Sequence, residues 1–453
     1  MCKNNRQTLL NALGLSCYQL FSQKKEERIK ERLFKLSIHL LALWLHCKRF
    51  LSKDKKTCHK IGLLTPEFFH SDCGGFGGYG ANLRKITDYV NGNGGTISAD
   101  ILLTRAHGSI PHSIKKYHNA FVLFRPNHHK SYLINFLRYS RMARGRGLNL
   151  LISIDWYKDY EYSAYALPMT PLLIWIRDPR SLKEWQAIAT VPQEMQASGH
   201  HTIQNIENIV NRKRDSINRI VKFSRQTGRK IVFATQAKYL IARAREAYGL
   251  DVGNPILLPK PLNMPNTEEI TYSKKPSLGF LGRLEPIKRP WIFFELAKRF
   301  PHVDFLVAGK SHFPEIMDPI IKRYSHLPNL KFLGMLAEEQ KDEFLRNIWG
   351  LLLPSIHEAM PNVFEEAFSY CKPVVSCQNP DNVVAEFGFY TGEILGQGLD
   401  NNSLDAFSKA VEELLTNHAL RKEKGIRARK HVAAVNSFSY FENTISKFLA
   451  DCN

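Results

Sequence analysis

Pro354-Ser355-Ile356-His357-Glu358-Ala359-Met360-Pro361-Asn362-Val363-Phe364-Glu365-Glu366-Ala367 holds the greatest density of chemistry in this 453-residue chain. An apolar run ends at Pro354, a turn follows, and a helix is expected from Asn362 to Tyr370. Glu358 falls in the turn and Glu366 in the helix. Two carboxylates at this spacing can accept hydrogen bonds from hydroxyls on two different rings of one ligand. The helix start around Met360, Pro361, Asn362 and Val363 offers unpaired backbone N–H groups, suited to a phosphate or sugar oxygen.

Two more stretches could hold an anion. Gly279-Phe280-Leu281-Gly282-Arg283-Leu284-Glu285-Pro286-Ile287-Lys288-Arg289 closes a strand. Arg283 with its planar fork and Lys288 as a point charge could grip a diphosphate there. Farther upstream, Ile61–Thr65 is followed by Cys73-Gly74-Gly75-Phe76-Gly77-Gly78-Tyr79-Gly80 and a helix. Five glycines let the backbone approach a ligand closely, and the helix start adds a partial positive charge. The order is neither G-x-G-x-x-G nor a P-loop, because no Gly-Lys-Ser/Thr follows. Taken singly, each stretch also fits a plain structural role, as a tight turn or a solvated charged surface.

These residues need strand ends to carry them. Strands are expected at Ile61–Thr65, Ile97–Thr104, Ala120–Phe124, Leu148–Ile154, Leu172–Ile176 and Lys230–Ala234, with helices at Gly80–Val90, Lys130–Ala143 and Ala237–Tyr248. The Pro-rich stretch Pro255–Pro276 reads as a linker. Strands at Ser277–Leu281, Asp304–Ala308, Leu330–Leu333, Gly350–Pro354 and Pro373–Ser376 then alternate with helices at Pro290–Arg299, Pro314–Tyr324, Glu338–Asn347 and Asn362–Tyr370. Apolar runs alternating with helices indicate parallel sheets covered on both faces, so the expected class is α/β with two doubly wound Rossmann-like halves facing a central cleft. Ligands in such sheets sit beyond the carboxyl ends of the strands. The polar segment Lys183–Arg229 reads as a solvated helical excursion rather than an acceptor- or membrane-facing insertion. The Phe438–Phe448 run is helical in pattern.

Composition sets the outer bounds. Apolar residues at 44% and charged residues at 23% exclude wholesale disorder, collagen and coiled coil. Eight cysteines without a C-x-x-C fit neither a disulfide framework nor a zinc site and favour a reduced, intracellular setting. The net charge of +21 suits nucleic acid, an anionic membrane surface or phosphate-bearing substrates. Residues 1–58 carry 13 Lys/Arg against 4 Asp/Glu around the uncharged run Leu36–Cys47. That run is too short to span a bilayer, and its position does not suit a signal peptide. A basic amphipathic helix on anionic lipid and a helix docked on the protein's own core both remain open. No nucleic-acid-binding module is recognisable, so nucleic acid is not an expected partner.

Together, the Gly-Gly-x-Gly-Gly loop, G-R-L-x-x-x-K, and P-S-x-x-E-x7-E-A followed by C-K-P-V-V resemble the family 4 glycosyltransferases, retaining enzymes of the two-domain GT-B fold with a group 1 glycosyltransferase domain. The resemblance runs continuously from about Gly279 to Phe448 and by motif from Ile61 to Lys260, leaving residues 1–58 uncovered. Beyond the basic amphipathic extension (1–58) read from composition, it implies an N-terminal acceptor-side domain (59–260), a linker (261–275), a nucleotide-sugar domain (276–432) and a final helix crossing back to the first domain (433–453).

What the resemblance implies is transfer of a sugar from a nucleoside diphosphate sugar, UDP- or GDP-linked, to a glycan, lipid-linked or other acceptor at the cytoplasmic membrane face. Arg283 and Lys288 hold the diphosphate in this picture, and Glu358 with Ala359–Asn362 holds the donor sugar by a front-face reaction without a covalent intermediate. Glu366 binds the ribose, Gly77 and Gly78 close over the phosphates, and Lys310 and Phe332–Met335 flank the base. No tightly bound cofactor and no metal is called for. One departure stands out. Where relatives commonly have a His at an N-domain strand end, this chain reads Trp175-Ile176-Arg177-Asp178. Arg177 could contact an anionic acceptor or donor sugar, or pair with Asp178; otherwise His128 or His129 fills the role. A catalytically degenerate GT-B scaffold or glycan-binding protein, and a nucleotide-sugar epimerase, remain the alternatives.

Overall fold

The computed structural model describes residues 59–68, 70–73, 78–92, 95–106, 114–125, 132–192, 203–266, 268 and 270–451. The basic extension, Gly77, His128 and His129 lie outside the described residues.

The first half runs β1 (His59–Thr65), α1 (Gly78–Gly92), β2 (Ile97–Ala106), β3 (Ile114–Tyr117), β4 (Ala120–Arg125), α2 (Tyr132–Gly145) and β5 (Leu150–Ile154). It continues through α3 (Tyr160–Ala166), β6 (Leu172–Ile176), α4 (Leu182–Ala189), α5 (Ile203–Thr227), β7 (Ile231–Thr235), α6 (Leu240–Tyr248) and β8 (Ile256–Leu257). The second half opens with β9 (Ser277–Leu281), α7 (Pro290–Arg299), β10 (Asp304–Ala308), α8 (Pro314–Tyr324), β11 (Leu330–Gly334) and α9 (Glu338–Asn347). Then follow β12 (Gly350–Leu352), α10 (Asn362–Ser369), β13 (Val374–Ser376), α11 (Val383–Phe387), β14 (Phe389–Tyr390), α12 (Asn401–Thr416), α13 (His418–Val435) and α14 (Phe438–Ala450).

The strands form two sheets, ordered β3-β4-β2-β1-β5-β6-β7-β8 and β11-β10-β9-β12-β13-β14. Every neighbouring pair is parallel except β3 with β4. Each residue of β5 and β6 is buried, as a parallel sheet covered on both faces requires. Strand order reverses between β1 and β5 in one sheet and between β9 and β12 in the other. These switch points open crevices at the carboxyl ends of the strands. The glycine-rich loop leaves β1, the Gly282–Arg289 turn leaves β9, and the Pro354–Pro361 turn leaves β12, so all three chemical stretches start at a switch point.

The Lys183–Arg229 segment corrects the sequence reading. It is not a solvated excursion: α5 buries Ile206, Val210, Ile217, Ile220, Val221 and Phe223, while Ile188 and Val191 at the end of α4 belong to the core of the second half. Part of its basic residues are internal partners. Lys213 reaches the buried Asp155 at 3.0 Å, Arg219 reaches Glu161 at 2.6 Å, and the buried Arg229 donates to the Ala164 carbonyl at 2.7 Å.

The last helix crosses the other way. Phe441, Ile445, Phe448 and Leu449 of α14 share a core with Ile61, Leu63 and Trp175 of the first sheet, with the Trp175 and Phe441 rings 5.8 Å apart. Ser437 caps the helix by accepting from the Tyr440 N–H, and Glu442 accepts from the Thr96 N–H at 3.1 Å. Because Phe441 is fully buried among first-half strands, Phe441→Ala is expected to destabilise the protein by about 3–5 kcal/mol, read as a lowered urea midpoint with unchanged slope.

Candidate active site

Two turns, laced together, carry the charged residues. A short 3-10 turn, Pro286–Lys288, ends at Arg289, whose backbone is left-handed (φ 45°) and whose side chain is buried. The Arg289 guanidinium donates to the Pro354 carbonyl at 2.8 Å, the Gly396 carbonyl at 3.0 Å and Cys377 Sγ at 3.0 Å. The Ile356 N–H donates to the Ile287 carbonyl at 2.9 Å. Lys288 and Glu358 are therefore fixed on adjoining turns, and they form a mostly buried ion pair. Arg283 is the outlying member: its side chain is 62% exposed and pairs with Glu285 at 2.9 Å. Beside it β10 ends at Gly309, where an added Cβ would fall 1.8 Å from the Gly282 carbonyl oxygen, so only glycine lets the two strand ends close up.

Glu366, one turn into α10, pairs with Lys341 of α9 at 2.9 Å and lies 3.9 Å from Lys85 of α1. Burial works against charge on Lys341, but Glu366 and Glu338 hold its ammonium above the ordinary range. Gly78 stands at the start of α1 across from the same helix: an added Cβ would lie 3.7 Å from the Asn362 amide nitrogen. Lys310, Leu333 and Met335 are exposed at the ends of β10 and β11.

First-half side chains hold the whole Glu358-bearing loop. His357 Nε2 bonds Asp178 Oδ1 at 3.0 Å. Burial alone would raise the Asp178 carboxyl, but Arg180 and His357 hold it well below the usual range. It is therefore ionised and can only accept, which places the His357 proton on Nε2. Burial also keeps the His357 imidazole below its ordinary value despite that carboxylate. Farther along the loop, Tyr239 donates its hydroxyl to the Ala359 carbonyl at 2.5 Å, and Arg243 donates to the Glu358 carbonyl at 3.1 Å.

The strongest of these ties comes from Lys260, which sequence reasoning passed over as a boundary residue. Its fully enclosed ammonium donates to the Met360 carbonyl and Asn362 Oδ1, both at 2.6 Å, and pairs with Glu365 Oε2 at 2.8 Å. Asn436 closes the group by donating to the Lys260 carbonyl at 2.8 Å and to Glu365 Oε1 at 3.0 Å. A lysine between two prolines carries no sequence signal for this, since its partners lie about a hundred residues away. The anticipated Arg177–Asp178 pair is not formed; Asp178 pairs with Arg180 at 2.7 Å and with His357.

A cationic and an acidic side chain thus meet at a switch point, beside a helix start and gripped by the facing half. The fold is that of the GT-B glycosyltransferases. Residues 267–431 match the family model "Glycosyl transferases group 1". The chain is a transferase enzyme carrying a segment similar to that group, and the matched segment spans the Arg283, Lys288, Glu358 and Glu366 positions.

Solved structures with the same fold include Anabaena Alr3699/HepE in complex with UDP and glucose, at 14% identity and TM-score 0.61, covering 86% of this chain and 99% of that one. Sucrose-phosphate synthase from Thermosynechococcus elongatus has 14% identity and TM-score 0.63, covering 87% and 99%. The lipopolysaccharide outer core galactosyltransferase WaaB has 14% identity and TM-score 0.55, covering 86% and 99%. No curated protein sequence matches the chain. Among the described residues no helix is long and apolar enough to cross a membrane, and no group of three or more His, Cys, Asp or Glu could hold a metal ion.

The Lys260 ammonium is pushed down to about 8 by burial, against the pull of Glu365. Between that value and its unfolded value the unfolded chain binds more protons, so this group makes stability rise with pH through the window from about 8 to about 10.4. In urea unfolding, Lys260→Met should lose this rise relative to the unaltered protein. At pH 7 it should cost about 3–5 kcal/mol by stranding Glu365, and adding Glu365→Gln should recover part of that loss.

Proposed function

We propose that this enzyme transfers a sugar, with retention of anomeric configuration, from a UDP- or GDP-sugar to a glycan or lipid-linked acceptor. The observation that carries the reading is the Lys288–Glu358 pair at the β9/β12 switch point, held on a loop that the first half grips at His357, Glu358, Ala359 and Met360. The UDP and UDP-glucose complexes of Alr3699/HepE support a nucleotide-sugar donor.

In this reading Arg283 and Lys288 hold the diphosphate and stabilise the charge that develops on it as the bond to the sugar breaks. Glu358 and the Met360–Val363 helix start hold the sugar hydroxyls, and Glu366 accepts from the ribose with the lone pairs its Lys341 bond leaves free. Gly77 and Gly78 let the first-half loop approach the phosphates. The acceptor hydroxyl attacks from the face the diphosphate leaves, so Glu358 is not a covalent nucleophile. Arg283→Gln and Lys288→Gln are each expected to lower turnover by at least about 10²-fold. Donor hydrolysis and transfer assays on the purified enzyme check this, and undiminished turnover in either variant removes that residue's role. Because binding to the folded state raises the melting temperature, a thermal-shift series with UDP and GDP identifies the base. Binding without any turnover of the matching sugars would favour the degenerate scaffold.

The basic residues 1–58 would place the enzyme at the cytoplasmic face of an anionic membrane. Removing residues 1–55 should release the protein from phosphatidylserine-containing vesicles and leave donor hydrolysis intact. Full vesicle binding by the shortened protein would refute the membrane role.

A further inference from the structure

Among the described residues four arginines are buried, and three of them are employed, Arg421 by donating to the Leu414 carbonyl at 2.9 Å. Arg289 is held by backbone carbonyls and a cysteine sulfur, and Arg229 by the Ala164 carbonyl and Ser224 Oγ. Arg177, just past the end of β6, is 3% exposed and is not employed. Its guanidinium lies 4.6 Å from the centre of the Trp175 ring and 5.6 Å from that of Tyr79. Nε is buried without a hydrogen-bond partner, and among the described residues no side chain forms an ion pair or hydrogen bond with the guanidinium.

The carboxylates whose fields reach it are Glu365, Asp155 and Asp178. Each already has its own cation: Lys260 at 2.8 Å, Lys213 at 3.0 Å and Arg180 at 2.7 Å. The backbone of Arg177 is fixed, its carbonyl accepting from Gln236 Nε2 at 2.7 Å. Enclosing a cation without a paired counter-charge is costly, and the two ring faces and the fields of carboxylates already paired elsewhere offset that cost only in part.

The position says which part of a ligand reaches this cation. The neighbouring Asp178 touches His357, the residue before Glu358. Tyr79 is the second residue of α1, next to Gly78, which faces Asn362. Arg177 thus borders the space between Glu358 and the start of α10, where the transferred sugar sits in the reading above, while Arg283 and Lys288 serve the diphosphate from β9. We propose that Arg177 is a specificity-determining residue that selects a donor whose transferred sugar bears a carboxylate, a hexuronic acid. The planar guanidinium fork matches a carboxylate by two parallel hydrogen bonds, and the two aromatic rings keep water away from the pair. A neutral hexose leaves the cation enclosed and unpaired. This assignment rests on the nucleotide-sugar reading.

Isothermal titration of the full-length protein at one ionic strength tests it, first with UDP and GDP, then with the neutral hexose and hexuronate conjugates of whichever base binds. The hexuronate conjugate is expected to bind roughly 10- to 100-fold more tightly than the hexose, the scale of one charge-assisted hydrogen-bonded pair. Arg177→Gln should bring the two within about threefold, and Arg177→Lys should keep part of the preference. Equal binding of the two conjugates by the unaltered protein overturns the proposal, and does so even if the variants fail to fold. A preference that survives Arg177→Gln reflects the general positive field and also overturns it. Equal weakening of the bare nucleoside diphosphate and its conjugates would move Arg177 to the phosphates and overturn its role in sugar selection. If neither UDP nor GDP binds, the nucleotide-sugar reading itself falls, and this assignment with it.

Discussion

The architecture depends on the enclosed contact of the Lys260 ammonium with Glu365, Asn362 and the Met360 carbonyl. A charge pair removed from water persists only if its remaining donors and acceptors are also satisfied. Here the remaining donors of the lysine go to the Met360 carbonyl and Asn362 Oδ1, and the second carboxylate oxygen goes to Asn436. One cluster thereby joins the end of the first half, the start of α10 and the segment entering α14. The loop bearing Glu358 cannot shift without breaking it.

From this constraint the rest of the site follows in order. The β9/β12 reversal opens the crevice, Arg289 locks the Pro286–Lys288 turn onto the strand ends, and Lys288 then meets Glu358. Among the described residues, no acidic or basic side chain of the first half bonds the Lys288 or Glu358 side chain. The first half grips the loop's backbone through Tyr239 and Arg243 and its imidazole through Asp178. The placement of the Lys288–Glu358 pair is thus a property of how the halves meet.

Elements with a clear apolar period were legible in the sequence. Buried strands such as Leu172–Ile176 and helices such as Pro290–Arg299 stand out because both faces, or one wide stripe, are apolar. Elements without that contrast did not. β3 is four mostly exposed residues, Ile-Lys-Lys-Tyr, whose partner strand alone makes it a strand. α13 buries Arg421, Gly425, Ala428 and Val432, a stripe of small and charged residues that no hydrophobic pattern reveals. α5 reads as polar because its buried apolar residues are diluted by basic ones that turn inward to carboxylates. At the site, the local motifs around Arg283, Lys288, Glu358 and Glu366 stand out in the sequence only as a set, since each alone also fits a plain structural role. Lys260, Tyr239, Arg243 and Asp178 do not stand out, because their roles arise only from contacts between distant parts of the chain.

The two halves have also exchanged parts. α4 sends Ile188 and Val191 from the first half into the second core, and α14 sends Phe441 and Ile445 from the end of the chain into the first. A chimera joined at the Pro-rich connection would therefore tear both cores, exposing greasy sockets on each fragment. Any recombination with a relative must carry α4 along with the recipient's second sheet and α14 along with its first, so the evolutionary and engineering unit of this enzyme is the interlocked pair.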